Sequence, residues 1–353
     1  MHTLELQAAA ALDYPCGEPP GDGAVREVAP GVLWIRMTLP DAFGIINLWA
    51  LEDDGGWTLV DTGIHAPSVV RDWEALLQGP LGGKPVRRVV LTHQHVDHGG
   101  MAGWLASRTG ARLWMTRLEY LSAQALAGAD VDALSPGALA FYRRAGWDAD
   151  TVARYEAVLG RYQSAFHPLP DSYRRIRDGE MLRIGSHAWR VVVGAGHTPE
   201  HATLYCEALG VLIAGDQVLP RISSNISVHP SEPEADPLAE WIASLGKLRR
   251  EVPARVLVLP AHNEPFTGLH VRLAAMEAGI QRKLAKLRGA LAVPHRVVDV
   301  LAVLFSGPMS PAHPSRYCLA TGEALAYLNY LLNLGDIEVQ DDACGVAWYR
   351  MKG

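Results

Sequence analysis

The stretch VVLTHQHVDHGG, residues 89–100, constrains the fold more strongly than any other part of the chain. His93, His95, Asp97 and His98 occupy six positions directly after a run of β-branched residues. If the strand continues through His93 and His95, their side chains leave the same face, because side chains alternate along a strand. The glycines that follow let the backbone turn into a helix. Imidazole and carboxylate groups suit a borderline cation such as Zn²⁺, so the stretch predicts half of a metal site at a strand end.

Composition excludes several other kinds of protein. The chain has 353 residues, 49% of them hydrophobic, and a formal net charge of −6, which argues against a polyanionic partner such as nucleic acid. The N-terminus lacks the basic start of a signal peptide, and no apolar run is long enough to span a membrane. We therefore expect a cytoplasmic protein. Four cysteines lie far apart with no CxxC pair, which predicts reduced thiols: Cys16, Cys206, Cys318 and Cys344.

The order of strand-like and helical segments predicts an α/β layered fold. A Pro- and Gly-rich lead-in covers residues 1–24, and a large α/β domain covers residues 25–288. Within it, EDDGG at 52–56 is typical of a hairpin turn. Residues 117 to about 167 are Ala-rich and helical in period, which indicates an inserted helical segment. Its aromatic side chains could form an apolar lid, although aromatics at this spacing are more often core: Tyr120, Phe141, Tyr142 and Trp147.

Residues 289–353 form a separate pattern of two helices followed by a hairpin, which resembles a small winged-helix module. This segment holds four basic residues against six acidic ones. A winged helix that reads DNA should be basic, so we predict a structural or dimer-forming role. The apolar helix pair is compatible with a homodimer.

Three further ligand-type residues follow predicted strands. His197 ends WRVVVGAGH, Asp216 ends GVLIAGD, and His262 ends VLVLPAH. A lone histidine at a strand end is usually a satisfied structural residue, but three such residues at separate strand ends, in addition to the cluster at 93–98, are hard to obtain by chance. The sequence therefore predicts that distant strand ends complete the metal site.

The motifs VDTG, THQHVDHGG, HTPEH, GDQ and PAHNEP, in that order, resemble the metallo-β-lactamase-fold hydrolase superfamily over roughly residues 25–270. The resemblance implies an αββα sandwich with a dinuclear metal site at one edge. It assigns His93, His95 and His197 to the first metal and Asp97, His98 and His262 to the second, with Asp216 as the bridge. The expected cofactor is two Zn²⁺ per chain, although iron or manganese would fit the same ligands.

The same resemblance assigns supporting roles to further residues. Asp61, at the end of WTLVDTG, would orient ligand imidazoles by hydrogen bonding, and His201 of HTPEH would support the site rather than bind metal. Two metals would share a water whose pKa is lowered towards neutrality, which supplies a hydroxide nucleophile. Asp97 is expected to orient this hydroxide or relay its proton.

Among branches of the family, the pattern is most similar to glyoxalase II-like thioesterases and lactonases. Glu200 stands where glycine is usual, and no basic cluster for glutathione carboxylates is visible, which puts glutathione specificity in doubt. The polar loop after Asp216 supplies candidate contacts to a small-molecule substrate: Arg221, Ser223, Ser224, Asn225 and His229. The alternative is a loop whose polar side chains satisfy its own backbone.

The leading functional prediction is a dinuclear zinc hydrolase that cleaves an ester, thioester or lactone. A phosphodiesterase or endoribonuclease of the same fold is the alternative, since related proteins with a winged-helix-like module include endoribonucleases, but the acidic C-terminal module speaks against it. A metal-binding interaction protein without activity is a third reading, which retention of all seven ligands disfavours.

Overall fold

The computed structural model of the protein describes residues 12–40, 44–127, 133–307 and 309–353. Two β-sheets lie face to face, and helices cover the outer face of each. The predicted αββα sandwich is therefore confirmed.

The first sheet has seven strands in chain order, antiparallel from β1 to β4 and parallel from β4 to β7. Its strands are β1 (Val25–Ala29), β2 (Val32–Thr38), β3 (Ile45–Asp53), β4 (Gly56–Val60), β5 (Val86–Val90), β6 (Arg112–Met115) and β7 (Arg174–Arg175). The expected hairpin turn joins β3 to β4 through Asp54 and Gly55. Both have positive φ, 47° and 79°, as a two-residue turn that matches the twist of the strands requires.

The second sheet has the order β12, β11, β10, β9, β8, and only the β11–β12 pair is parallel. Its strands are β8 (Met181–Ile184), β9 (His187–Gly194), β10 (His201–Cys206), β11 (Val211–Gly215) and β12 (Leu257–Pro260). Along β11, Val211 and Ile213 face the first sheet, while Leu212 and Ala214 face the outer helices. This alternation buries both faces of the strand, which explains its continuous apolar sequence.

Helices α1 (Pro67–Gln78), α2 (Val96–Gly99) and α3 (Ala102–Thr109) lie along the first sheet, and α8 (Pro237–Glu251) and α9 (Leu269–Ala290) along the second. Apolar side chains of α1 recur at helical spacing, so one face packs on the sheet. On that face Trp73 is fully buried and donates its indole N–H to the carbonyl of Thr62. Helix α3 ends at Thr109, and Gly110 follows it as the C-cap residue with a φ of 74°, a left-handed conformation that glycine adopts readily.

The helical insert between β6 and β7 consists of α4 (Arg117–Ala127), α5 (Pro136–Arg144), α6 (Ala149–Glu156) and α7 (Leu159–Ser164). Residues 128–132 of the predicted insert lie outside the described ranges. The insert aromatics belong to the core rather than to a lid. Tyr142 and Trp147 are buried and stacked, and Tyr120 stacks on Tyr173.

The C-terminal segment contains α10 (Val297–Leu304), α11 (Pro314–Leu334) and a hairpin of β13 (Ile337–Asp341) and β14 (Ala347–Met351). Trp147 of the insert donates its indole N–H to Thr321 of α11, so insert and C-terminal helices share one core. The predicted helices and hairpin are present, whereas the winged-helix comparison stays a prediction. Within the described ranges, no helix combines the length and the apolar character that crossing a bilayer requires.

Candidate metal centre

The predicted ligands meet at one edge of the sandwich because the strands that precede them end there. The loop from His93 follows β5, His197 follows β9, Asp216 directly follows β11, and His262 follows β12. Asp61 directly follows β4, which lies parallel to β5, so the ends of these two strands are neighbours.

The local cluster is built by a loop and not by a continuing strand. β5 ends at Val90, and α2 begins at Val96 with His95 before it as its N-cap residue. The expectation that strand alternation aligns His93 with His95 is therefore wrong. The loop brings their rings together instead, with His93 Nε2 2.9 Å from His95 Nδ1. Beyond the strand, the N–H of Gln94 donates to a carboxylate of the insert, Glu119 Oε2, at 2.9 Å.

Ligand-type atoms form three overlapping groups, each with its atoms within 4.8 Å of one another. The groups are His93, His95 and His197; His93, His98 and Asp216; and Asp97, His98 and His262. The first and third contain the same residues as the two sets that the family resemblance implies, and Asp216 belongs to the second group.

The two oxygens of Asp216 face different sets. Oδ2 lies 3.4 Å from His197 Nε2, whereas Oδ1 lies 3.6 Å from Nε2 of both His98 and His262. Asp97 Oδ2 lies 3.4 Å from His262 Nε2 and 3.7 Å from His98 Nε2. A carboxylate placed in this way can contact two cations at once.

The second ring nitrogen of four histidines is held by an acceptor outside the cluster. His98 Nδ1 lies 2.8 Å from Asp61 Oδ2, His93 Nδ1 3.0 Å from the Thr92 hydroxyl, His197 Nδ1 2.6 Å from the Asn225 carbonyl, and His262 Nδ1 2.8 Å from the Ile45 carbonyl. In the neutral ring, a proton on Nδ1 leaves Nε2 with a lone pair that points into the cluster.

Three of the converging atoms are buried and lack a hydrogen-bond partner: His98 Nε2, His197 Nε2 and Asp216 Oδ1. Buried polar atoms are normally paired, because an unpaired one costs about 1–3 kcal/mol. Several such atoms at one point, each a nitrogen or oxygen ligand type, fit a bound divalent cation.

Asp61 takes the supporting position that the sequence predicts. It has a φ of 59°, a left-handed conformation that aspartate tolerates better than most residues. Oδ1 accepts the Thr92 N–H at 2.8 Å, and Oδ2 accepts the Thr92 hydroxyl at 2.7 Å and the His98 Nδ1–H. One carboxylate thus fixes His98 directly and His93 through Thr92.

His201 lies behind the cluster. It is fully buried, and its Nε2 accepts the backbone N–H of Asp216 at 3.1 Å. Burial and the neighbouring imidazoles lower its pKa well below the ordinary histidine value, so the ring is neutral and can act as this acceptor. It supports Asp216 and does not join the groups of converging atoms.

The histidines of the cluster differ in the direction in which their pKa values are shifted. Burial, followed by the neighbouring imidazoles, lowers the pKa of His93 well below the usual value and that of His95 to about 3. Burial also opposes protonation of His98 and His262, but the nearby carboxylates outweigh it. The pKa of His98 rises well above the usual value, and that of His262 rises to about 9. A metal would therefore displace protons when it binds.

The candidate substrate contacts in the loop after Asp216 differ in their exposure to solvent. Arg221, Ser223 and His229 are exposed, and Arg221 pairs with Glu264 at 3.0 Å. Ser224 is buried and its hydroxyl donates to the carbonyl of Asp216. Because that hydroxyl already satisfies the backbone, the structure does not support substrate contact by Ser224.

Asn225 likewise has its groups engaged. Its carbonyl accepts from His197, and its amide donates to Glu323 Oε2 at 3.1 Å. The alternative considered for this loop, polar groups that satisfy the fold, applies to these two residues.

Sequence reasoning missed Glu119 of α4. It is fully buried, and its two oxygens accept from different ligand loops, Oε2 from the N–H of Gln94 and Oε1 from the N–H of Glu200 at 2.8 Å. Burial raises its pKa although these N–H groups oppose the shift. Glu119 thereby ties the loop of His93 and His95 to the loop of His197.

Glu200 also contacts α4, the helix that contains Glu119. Its Oε2 accepts the N–H of Leu118, in the first turn of α4, at 2.8 Å, where a helix has backbone donors to satisfy. The Glu200 carbonyl also accepts from the Thr116 hydroxyl. The Glu200 side chain thus anchors the insert. The glutamate at position 200, noted in the sequence as a departure from the resembled pattern, is the signal that points to this contact.

Comparison with known proteins agrees with this geometry. Residues 41–262 match the metallo-beta-lactamase superfamily, and residues 284–352 match the metallo-beta-lactamase-like C-terminal domain. A beta-lactamase domain protein from Burkholderia ambifaria is 38% identical, with a TM-score of 0.85 over 97% of this chain and 100% of that one. A metallo-beta-lactamase family protein from Thermus thermophilus is 26% identical, with a TM-score of 0.77 over 92% of this chain and 100% of that one. A probable metallo-hydrolase, YqjP, from Bacillus subtilis strain 168 is 25% identical over 79% of this chain and 82% of its own length.

Proposed function

The chain belongs to the metallo-beta-lactamase superfamily and is a metallo-hydrolase, and from that premise we propose that it uses two zinc ions to cleave an ester, thioester or lactone of a small molecule. His93, His95 and His197 would hold one ion, and Asp97, His98 and His262 the other. Asp216 would contact both.

The position of Asp216 carries the proposal. Its oxygens lie 3.4 and 3.6 Å from histidine nitrogens of two different sets, longer than a good hydrogen bond. The carboxylate therefore has a separate oxygen for each of two cations. A single ion would leave one of the two nitrogen sets without a partner.

When bound, a zinc pair supplies a water made acidic enough to lose its proton near neutral pH and polarises the bond to be broken. Asp97 would orient that nucleophile by accepting a hydrogen bond. Burial opposes ionisation of Asp97, but His98 and His262 outweigh it and hold the pKa of its carboxyl at about 2. Asp97 is therefore an acceptor throughout the physiological range and a weak base.

Exposure indicates where the substrate would enter. His98 is fully buried, whereas the side chains of Asp97 and His262 keep 17% and 18% of their surface exposed. His95 is also partly exposed, so the cluster opens on the side of these three residues. Arg221, Ser223 and His229 stay candidate contacts because their side chains reach solvent from the loop that Asp216 begins.

The test compares zinc-loaded protein with chelator-treated protein on a panel of thioester, lactone, ester and phosphodiester substrates. We expect hydrolysis of one of the first three classes that chelation abolishes and zinc restores. Asp97→Asn should lower kcat by roughly 100-fold or more with a smaller change in KM. Asp178→Asn, which removes a carboxylate paired with Lys247 on the surface, serves as the matched control.

Preference for the phosphodiester would favour the alternative function of the fold. Failure to hydrolyse any member of the panel with zinc bound would contradict the proposed substrate class. The cytoplasmic location, the lack of a nucleic-acid partner and the homodimer stay predictions that this assay does not address.

A further inference from the structure

The loop between β11 and α8, residues 216–236, joins the metal centre to the C-terminal helices. It begins with Asp216, and its Asn225 carbonyl accepts the Nδ1–H of His197 at 2.6 Å. The β11–α8 loop thus contributes one predicted ligand and orients another. Its shape must be fixed for His197 to hold its direction.

Helix α11 packs directly on this loop. The N–H of Val228 donates to the Gly322 carbonyl at 3.0 Å. The Ser227 hydroxyl lies 2.5 Å from Asn225 Oδ1 and 3.2 Å from the Leu319 carbonyl. A Cβ atom added to Gly322 would lie 2.8 Å from the Ser227 side chain and 2.9 Å from the Val228 carbonyl oxygen. The approach is close enough to require glycine at this position of the helix.

A charged pair behind Asn225 completes the contact. Glu323 of α11 accepts the Asn225 amide with Oε2 at 3.1 Å and pairs with Lys283 of α9 through Oε1 at 2.7 Å. The side chains of Glu323 and Lys283 are only 12% and 16% exposed. Lys283 also lies over the rings of Phe305 and Tyr327. A partly buried, fully paired carboxylate holds its partner in one geometry better than a surface group does.

We propose that Glu323 is a positioning residue for the metal centre, which acts on His197 through Asn225 and makes the C-terminal module part of the site. This inference rests on the proposed metal centre. Glu323 holds the Asn225 side chain, the Asn225 carbonyl keeps the proton of His197 on Nδ1, and Nε2 of His197 therefore stays directed at the first set of ligands.

Zinc affinity tests the proposal without an assay of hydrolysis. Metal-free protein is titrated with Zn²⁺ in competition with a chelator, for the unmodified chain, Glu323→Ala and Glu323→Gln. Loss of a group that orients a histidine ligand typically lowers metal affinity by roughly 10–100-fold, and we expect Glu323→Ala to lower the affinity for one of the two ions by roughly tenfold. Glu323→Gln keeps one side-chain oxygen that can accept from Asn225 but turns its amide N–H groups towards Lys283, so it should recover part of the loss.

Glu338→Ala is the matched control, because it removes an exposed glutamate that pairs with Arg350 in the same module. Its zinc affinity should equal that of the unmodified chain. Asn225→Ala removes the hydrogen bond to Glu323, together with the contacts of the Asn225 side chain to Ser227 and the Leu319 carbonyl, without a change in α11. It should reproduce the loss if Glu323→Ala fails to fold. Unchanged zinc affinity in Glu323→Ala or, where that variant does not fold, in Asn225→Ala would overturn the proposal. Failure of the unmodified chain to bind zinc would instead overturn the proposed function.

Discussion

The sandwich buries a carboxylate near each end of strand β3, and the two carboxylates differ in what surrounds them. Ile45 begins β3 beside His262, at the edge where Asp216 lies, and Asp53 ends the same strand about 27 Å away at the usual rise per residue. Asp53 is fully buried but accepts from the Thr58 hydroxyl at 2.7 Å, the Gly185 N–H at 3.0 Å and the Arg88 guanidinium at 2.8 Å. Asp216 has a buried oxygen with no hydrogen-bond partner.

This difference in hydrogen-bond partners distinguishes Asp53, a residue of the scaffold, from Asp216, a residue of the candidate metal centre. A buried carboxylate with its partners in place stabilises the fold, because the hydrogen bonds compensate for lost hydration. A buried carboxylate whose neighbours are ligand nitrogens at 3.4–3.6 Å has a geometry suited to a cation between them.

The largest effect is expected for Asp216→Ala. Hydrolysis of the preferred substrate should fall by roughly 1,000-fold or more, because loss of the shared ligand removes several kcal/mol of metal-dependent stabilisation. The unfolding free energy of the metal-free protein should change less than it does in Asp53→Ala. Rates are measured at saturating zinc, and unfolding is followed in urea. A variant that hydrolyses normally would show that Asp216 is not part of the reaction site.

Asp53→Ala should act on stability alone. It leaves Arg88, whose side chain is 16% exposed, without its buried partner, and a broken buried pair costs roughly 3 kcal/mol. Urea unfolding measures the loss, and elemental analysis should find the same metal content as in the unmodified chain. Reduced metal content in folded Asp53→Ala would mean that the two ends of the sandwich are coupled.

Asp61→Ala should weaken metal binding by roughly 10–100-fold, because His98 loses its acceptor and Thr92 loses both of its contacts to the carboxylate. The competition titration with zinc measures the change. Equal affinity in the variant would show that the imidazoles are oriented by packing rather than by this carboxylate.

Acid should affect the two ends over different pH ranges. His262, with a pKa of about 9 in the metal-free chain, is protonated at pH 7, and zinc must displace that proton. Zinc affinity should therefore rise with pH towards 9 and fall on acidification, by about tenfold per pH unit for each displaced proton. Calorimetry in buffers of different ionisation enthalpy measures the released protons, and a buffer-independent enthalpy would contradict the expectation.

Burial opposes ionisation of Asp53, but hydrogen bonds from Thr58, Gly185 and Arg88 lower its pKa below the ordinary value. A group with a lowered folded pKa stabilises the fold above its unfolded value, about 3.9, and loses this contribution as the pH falls through the folded pKa. The stability that Asp53 supplies should therefore persist at pH values where zinc has already been released.

The smallest effect is expected for Glu200→Ala. Glu200 lies at the metal edge but its side chain caps α4, and loss of a helix-capping acceptor costs about 1 kcal/mol. Unfolding free energy should fall by that amount while zinc affinity stays within about threefold of the unmodified chain. A larger loss of affinity would show that a satisfied carboxylate at this edge also serves the site.

The sequence predicts the residues of the site that are recognisable by their type, histidine or aspartate, and by their place in a motif or after a strand. His93 to His98 form a contiguous motif, and Asp216 and His262 follow apolar strands whose ends meet at one edge. The convergence of His93 and His95 was expected from strand alternation, and that reason was wrong because the strand ends earlier. The N–H of Gln94 in that loop donates to Glu119, 25 positions away, and sequence alternation cannot reveal such a contact.

The supporting contacts of Glu119 and Asn225 could not be predicted, because they join positions that are far apart in the sequence and leave no motif. Glu119 reads as an ordinary helix residue, yet it accepts an N–H 81 positions away. Asn225 is a candidate in the sequence because of its polar side chain, whereas its backbone carbonyl is the group that orients His197. Every residue type has a backbone carbonyl, so the sequence does not reveal which carbonyl accepts from His197.

The most direct test of the central claim is the number of zinc ions that each chain binds. Metal-free protein is titrated with Zn²⁺ and the bound ions are counted by native mass spectrometry. The account predicts two ions per chain at saturation, with Asp53→Ala unchanged and Asp216→Ala unable to retain both. A single ion per chain at saturation, or two ions held equally well without Asp216, would contradict it.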